Sequence, residues 1–287
     1  MRKPGGRKAK DMAAMGFLYG AAGLVVFLLA GIIGYILRRG VPYLSPELLL
    51  EKPSFLRDTV GILPNILNTL YIVLMTLLLV VPLGVGAAVY LQEYAKPGKR
   101  TALITFATET LAGIPSIVYG LAGMLLFVRV LGLGTSLLAG ALTLTIMTLP
   151  TIIRTTQESL KTVPHSMREG ALSLGAGKWY MIRTVVLPGA IQGIVTGCIL
   201  AVGRIVGESA ALLFTAGMAN EMIGFWEAAR PQNAGATLTV ALYMYAKERG
   251  EFDIAFAIAV LLIAVTLLIN LFASKVGGRG KRERKRK

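Results

Sequence analysis

Few residues in this sequence could do chemistry inside its long apolar runs. Glu109 interrupts the run 103–128, and Arg204 and Glu208 interrupt the run 189–216. An ionisable side chain at bilayer depth costs about 2.5–3.5 kcal/mol on insertion scales, so it is seldom left without a partner. Arg204 and Glu208 are four residues apart, which on a helix puts them on one face within reach of each other. Two readings of this pair stand side by side. In one it is a structural ion pair locking helices together. In the other, Arg204 offers charge to an anion in transit and Glu208 tempers its grip, since a conducting site must also release what it binds. Ser116 also has two readings, set by Gly113, Pro115 and Gly120 around it. These residues either allow close packing of a neighbouring helix, or break the helix so that backbone N–H groups and Ser116 face an anion. Helical rise puts Glu109 roughly 13 Å from Arg100 and Arg204 roughly 24 Å from Pro188, so those two charges are not expected to pair.

No catalytic constellation accompanies these charges, and no metal ligand set or cofactor motif is present. The single cysteine, Cys198, and the single histidine, His165, build neither a disulfide nor a zinc site. Gly175–Ala176–Gly177–Lys178 resembles part of a phosphate-binding loop. A Walker sequence, however, needs glycine five positions before the Gly-Lys pair and Ser or Thr after it, where this chain has Leu172 and Trp179. No polar segment is long enough to fold a nucleotide-binding domain. If the protein pumps, the ATPase is another chain.

The elements that must position these residues are membrane spans. The chain has 287 residues, 55% of them hydrophobic, and Met12–Leu37 alone runs 26 residues without a charge. At about 1.5 Å per residue, such runs cross roughly 30 Å of hydrocarbon. We expect an all-α, polytopic protein with six transmembrane helices near 13–37, 64–91, 102–128, 133–156, 189–216 and 253–274. Pro64, Pro82, Pro115 and Pro150 are tolerable as kinks. The layout is a basic tail 1–12, a first span and loop 13–63, a core 64–274 and a basic tail 275–287.

Charge sets the orientation. Of the 30 lysines and arginines, 21 fall in the two tails and in the loops 92–101 and 154–187, and eight fall in the opposite loops with eight acidic residues. The positive-inside bias places both termini in the cytoplasm of a cell-membrane protein. The net charge of +15 is thereby explained by topology and by anionic lipid head groups beside the tails, without nucleic acid. The first apolar run is too long for the core of a cleavable signal peptide. On the outer side, Phe225, Trp226, Tyr243 and Tyr245 suit a membrane boundary, and the uncharged run 236–246 is too short to span.

The loop 159–188 carries the most local information. Ser166 and Glu169 stand in the S-x-x-E relation of a capping box, predicting a short helix from Met167. Gly175 and Gly177 permit a sharp turn. A second short helix fits 178–186, and Pro188 suits the first turn of the long helix that follows.

Glu169–Gly170–Ala171, Gly175, Val185 and Leu187–Pro188 resemble the EAA loop of permeases in binding-protein-dependent ABC importers, with Gly170 and Val185 as mild departures. The segments 113–121 (GIPSIVYGL), 148–154 (TLPTIIR), 203–212 (GRIVGESAAL) and 215–217 narrow the resemblance to PstA-type phosphate permeases, over about residues 64–274. The resemblance implies the type I importer permease fold and a heterodimer with a second, PstC-like permease. It also implies two ATPase subunits and an extracytoplasmic phosphate-binding protein. Glu169, Gly170, Ala171 and Gly175 would contact the ATPase; Arg204, Glu208 and Ser116 would line the substrate pathway. A permease for another oxyanion stays open. A secondary carrier would show internal repeats and have no use for such a loop.

Overall fold

Only closed hydrogen-bonding patterns survive in hydrocarbon, and a chain with uninterrupted apolar runs satisfies its backbone locally as helix. The computed structural model describes residues 5–53 and 61–284, and every α-helix or helical turn among them follows that rule. In order these are α1 (Gly5–Gly40), α2 (Pro46–Leu50), α3 (Leu63–Val89), α4 (Lys99–Ala112), α5 (Ser116–Gly123), α6 (Leu137–Lys161), α7 (His165–Ser173), α8 (Lys178–Met181), α9 (Leu187–Val206), α10 (Ala210–Thr215), α11 (Phe225–Ala228), α12 (Leu238–Tyr243) and α13 (Phe252–Arg284). π-helical turns extend α3 through Tyr90–Tyr94, α5 through Met124–Val130 and α12 through Met244–Glu248, and one at Ile182–Val186 joins α8 to α9.

Among the described residues, five helical stretches are long and apolar enough to cross a membrane: Ala14–Tyr43, Leu63–Tyr94, Leu137–Lys161, Lys178–Val206 and Phe252–Leu271. The expected third span, 102–128, is not one rod. α4 and α5 meet at 105°, and the pair makes a sixth crossing only if it is counted as one broken span. Pro115 cannot continue α4 because it lacks an N–H and disfavours helical geometry in Ile114 before it. The expected fifth span, 189–216, also divides, ending at Val206 and resuming as α10. By contrast, Pro82 and Pro150 lie inside unbroken helices.

Two boundaries move outward. α1 begins at Gly5, within the expected tail 1–12, and α13 runs to Arg284, within the expected tail 275–287. Lys and Arg are good helix formers, so a basic flank extends a span at little cost. Residues 1–4, 54–60 and 285–287, which belong to the two tails and the first outer loop, lie outside the described residues.

The core is built around α6, which packs against both α3 and α9. Small residues let these helices approach: a Cβ on Gly84 of α3 would meet the Ile152 side chain, 2.9 Å from its Cβ. Several threonines on α6 return their hydroxyls to the preceding turn, as Thr143 to Ala139 O (2.8 Å) and Thr148 to Leu144 O (2.7 Å), which satisfies those polar side chains inside the core. α1 packs on α13, with Tyr35 edge-on to Phe256 at 5.6 Å, and otherwise exposes its apolar surface. The short run 236–246 is mostly buried, and its residues Leu238–Tyr243 form α12, set against α3 and α13.

Candidate functional site

The expected coupling loop forms a helix, a turn and a helix, with different boundaries. α7 begins at His165 because Pro164, at φ −57° and ψ 141°, takes the N-cap position, and no side chain caps the helix there. Ser166 and Glu169 therefore fall inside α7 and make no capping box. The C-terminal end matches the expectation. Gly175 has φ +82°, Gly175 N–H donates to Leu172 O (3.0 Å) and Ala176 N–H donates to Ala171 O (3.2 Å). This 5→2 and 6→1 pair is a Schellman cap, which favours glycine at its left-handed residue. Gly177 adopts ordinary extended geometry at φ −66°. The segment 178–186 is continuous with α9 through the π turn, so the loop ends at Gly177.

Glu169, Gly170 and Gly175 are exposed, and Ala171 rests partly buried on the apolar cluster beneath. Around them Met167, Leu172, Leu174, Trp179 and Tyr180 are also exposed, Leu174 at 90%. An exposed apolar patch of this kind marks a surface that meets either another protein or the membrane.

The sequence reading did not single out the residue that anchors this loop. Arg168, the buried residue of α7, donates through Nη2 to Leu160 O (2.7 Å) and through Nη1 to Val163 O (3.1 Å). Its Nη2 also stands 3.1 Å from Glu93 Oε1, in the π turn that closes α3. A second tie to the same turn comes from Lys178, whose Nζ lies 4.7 Å from the centroid of the Tyr94 ring.

The membrane charges are arranged differently from the expectation. Arg204 occupies the last turn of α9, half-buried, but Glu208 is past the end of that helix. Helical i,i+4 geometry is thereby lost, and among the described residues no Arg204–Glu208 ion pair forms within 4 Å. The Glu208 carboxylate instead accepts from Ala211 N–H at 3.0 Å and caps α10. Arg204 lies within electrostatic reach of the Tyr119 hydroxyl. That hydroxyl donates to Leu111 O (2.7 Å), clamping the bend between α4 and α5. Ser116 begins α5, half-buried.

The two interrupted helices meet. A Cβ on Gly120 of α5 would stand 2.8 Å from Ala211 Cα of α10, so the two backbones are in direct contact. The structure thus brings together α5, α10 and the Arg204 end of α9. Glu109 lies elsewhere, in a crevice of about 290 Å³ with Arg154, Gln157, Glu158 and Lys161, where Arg154 pairs with Glu158 at 3.3 Å.

Beyond α10 the chain is tied back to α3. Asn65 Nδ2 donates to Asn220 Oδ1 (2.8 Å) and Ala236 O (3.0 Å), Asn68 Nδ2 donates to Ala236 O (3.2 Å), and Leu238 N–H donates to Thr69 Oγ1 (2.9 Å). Thr239 Oγ1 donates to Glu208 O (2.8 Å), closing the loop onto the α9–α10 break.

This arrangement of interrupted helices around a membrane charge, with a helical loop projecting from the spans, is that of a transport permease. Residues 80–278 match the family described as binding-protein-dependent transport system inner membrane component, and the chain belongs to that family. It is 40% identical over 221 residues to a probable ABC transporter permease protein, YqgI, of Bacillus subtilis, covering 77% of this chain and 75% of that one. It is 34% identical over 268 residues to the phosphate transport system permease protein PstA of Pasteurella multocida, covering 93% of each. Among solved structures, a bacterial ABC transporter involved in the import of the acidic polysaccharide alginate superposes with a TM-score of 0.67 at 16% identity, covering 95% of this chain and 99% of that one. The MetNI methionine ABC transporter, in an inward-facing conformation, gives 0.59 at 21% identity, over 77% of this chain and 94% of that one. These two likenesses define the fold as that of an ABC importer permease, and the chain is a multi-pass membrane protein.

Proposed function

We propose that this chain carries inorganic phosphate across the cell membrane as one permease of an ATP-driven importer. The observation that carries the reading is the similarity to a phosphate permease over 93% of both chains. A half-buried arginine at the junction of two broken helices supports it, because a phosphate dianion needs positive charge and free backbone N–H groups. The basic loops and tails face the cytoplasm, as do both termini. α7 and its turn dock an ATPase, with Glu169, Gly170, Ala171 and Gly175 at the contact. Two ATPase subunits, a second PstC-like permease and an extracytoplasmic phosphate-binding protein complete the complex, and ATP is hydrolysed by the ATPase subunits.

Arg204 and Ser116 belong to the substrate pathway, and Glu208 shapes it by capping α10. The test is uptake of labelled phosphate by the reconstituted complex, with ATP present and no ion gradient. Uptake that requires ATP and the loaded binding protein, and that excess sulfate or molybdate does not compete, is the expected result. Preference for another oxyanion would replace phosphate as substrate, and uptake driven by a gradient alone would replace the importer reading with a carrier.

A further inference from the structure

We infer that Arg168 is a positioning residue that passes motion of α7 into α3 through the Glu93 carboxylate, so that α3 acts as a connecting rod between the coupling loop and the outer loop. The inference rests on the reading that α7 docks an ATPase and names how that contact reaches the spans.

The attachment of α7 is the first argument. Arg168 is its buried residue, at 7% exposure, while the face around it is open. The chain links α7 to α6 through Thr162–Pro164 and to α8 through Leu174–Gly177, and neither link belongs to α3. Arg168 supplies the charged tie from α7 to α3, beside the Lys178–Tyr94 contact from α8 and the apolar packing of Ala171. Its planar guanidinium holds Leu160 O in the last turn of α6, Val163 O in the link that follows and Glu93 in the π turn that extends α3, so a tilt of α7 loads both spans together.

The second argument is that the contact is not saturated. Arg168 Nε and Glu93 Oε1 are buried without a hydrogen-bond partner, although the charges are 3.1 Å apart. A bidentate pair would satisfy both groups and fix one register. This single-point pair holds the elements together while leaving the guanidinium room to change its angle on the carboxylate. Glu93 also sits in a π turn, a widened turn of the kind that frequently marks functional positions in helices.

The third argument is what lies at the far end of the rod. α3 with its π turn is 32 residues long, about 48 Å of helix. Its first turns carry Asn65, Asn68 and Thr69, which hold Ala236 O and Leu238 N–H. Thr239 then holds Glu208 O at the break before α10. A displacement of α3 at Glu93 therefore shifts the outer loop and the α9–α10 break through named hydrogen bonds.

The experiment uses the complete complex in nanodiscs, in a Cys198→Ser background. A spin label at Leu70→Cys, an exposed position near the outer end of α3, is paired with one on the facing permease. Arg168→Gln and Glu93→Gln are compared with the unaltered chain, and with the swapped pair Arg168→Glu with Glu93→Arg. ATPase copurification, ATP hydrolysis, phosphate carried per ATP and the nucleotide-driven change in label distance are recorded. Both single variants should retain the ATPase and hydrolyse ATP, yet lose the distance change and carry about tenfold less phosphate per ATP. The swapped pair should recover part of both. A distance change and a transport ratio within about twofold of the unaltered chain in both single variants would overturn the inference. If Arg168→Gln does not assemble, Glu93→Gln, which keeps the shape of the side chain, decides on the same readouts. An unaltered complex that moves the label with ATP but carries no phosphate would remove the substrate reading, and the label arm would still test the rod.

Discussion

The Glu208 carboxylate accepts a hydrogen bond from the Ala211 backbone N–H at 3.0 Å, which makes it the cap of α10 and not the helical partner of Arg204. The chain leaves α9 at Gly207 and re-enters helix at Ala210, and such a break leaves N–H groups that need acceptors. Glu208 meets one of them from a buried position at 9% exposure. Glu208→Gln keeps an acceptor there and Glu208→Ala removes it. We expect the glutamine variant to melt close to the unaltered protein, and the alanine variant to lose about 0.5–2 kcal/mol, the usual cost of a lost cap. Thermal unfolding of the detergent-purified complex distinguishes them, and equal melting of the two would refute the capping role.

Freed from Glu208, Arg204 can be tested without leaving an orphaned buried carboxylate behind. Arg204→Gln should cost less than about 1 kcal/mol of stability, since no ion pair is broken, while phosphate uptake falls at least tenfold. A large fall in melting temperature or in recovery of the assembled complex would assign Arg204 a structural role and remove it from the pathway.

How far these sites were legible in the sequence depends on the range of the physics that sets them. The spans could be read because their length answers to bilayer thickness, and the bend at Pro115 was one of two stated readings because a proline carries its own steric signal. The α9–α10 break could not be read, since Gly207 and Ser209 are individually compatible with helix in an apolar run. The capping-box expectation failed on one neighbour: Pro164 occupies the N-cap and shifts Ser166 and Glu169 into the helix. Arg168 and Glu93 are 75 positions apart, and nothing local to either announces the other. Glu208 was expected to face Arg204 one helical turn away, but α9 ends at Val206, two residues before it, and its carboxylate meets Ala211 N–H instead.

Gly175 offers a test of backbone conformation separated from packing. A Cβ there would meet nothing within 4 Å, yet φ is +82°. The penalty for a branched residue is therefore conformational, roughly 1–2 kcal/mol against the left-handed region. Asparagine visits that region more readily. Gly175→Asn should keep ATPase copurification and ATP-driven uptake near normal, whereas Gly175→Val should weaken both while the protein still reaches the membrane. Retention of both activities by Gly175→Val would show that the Schellman turn is dispensable for docking.

At the opposite end, Asn65 tests whether the outer loop is held by α3. Asn65→Leu deletes the donors to Asn220 Oδ1 and Ala236 O, though Asn68 continues to reach Ala236 O at 3.2 Å. Each intramolecular bond contributes about 0.5–1.5 kcal/mol net, so the loss is about 1–3 kcal/mol. It should appear as local opening, because the α3–α6 packing is untouched. Amide exchange across 218–236 should accelerate, with exchange in α6 unchanged. If this loop also receives the binding protein, stimulation of ATP hydrolysis by that protein should fall, while basal hydrolysis and ATPase copurification, which depend on α7, stay level. Unchanged exchange across 218–236 would mean that the loop is held elsewhere, and it would break the outer end of the proposed rod.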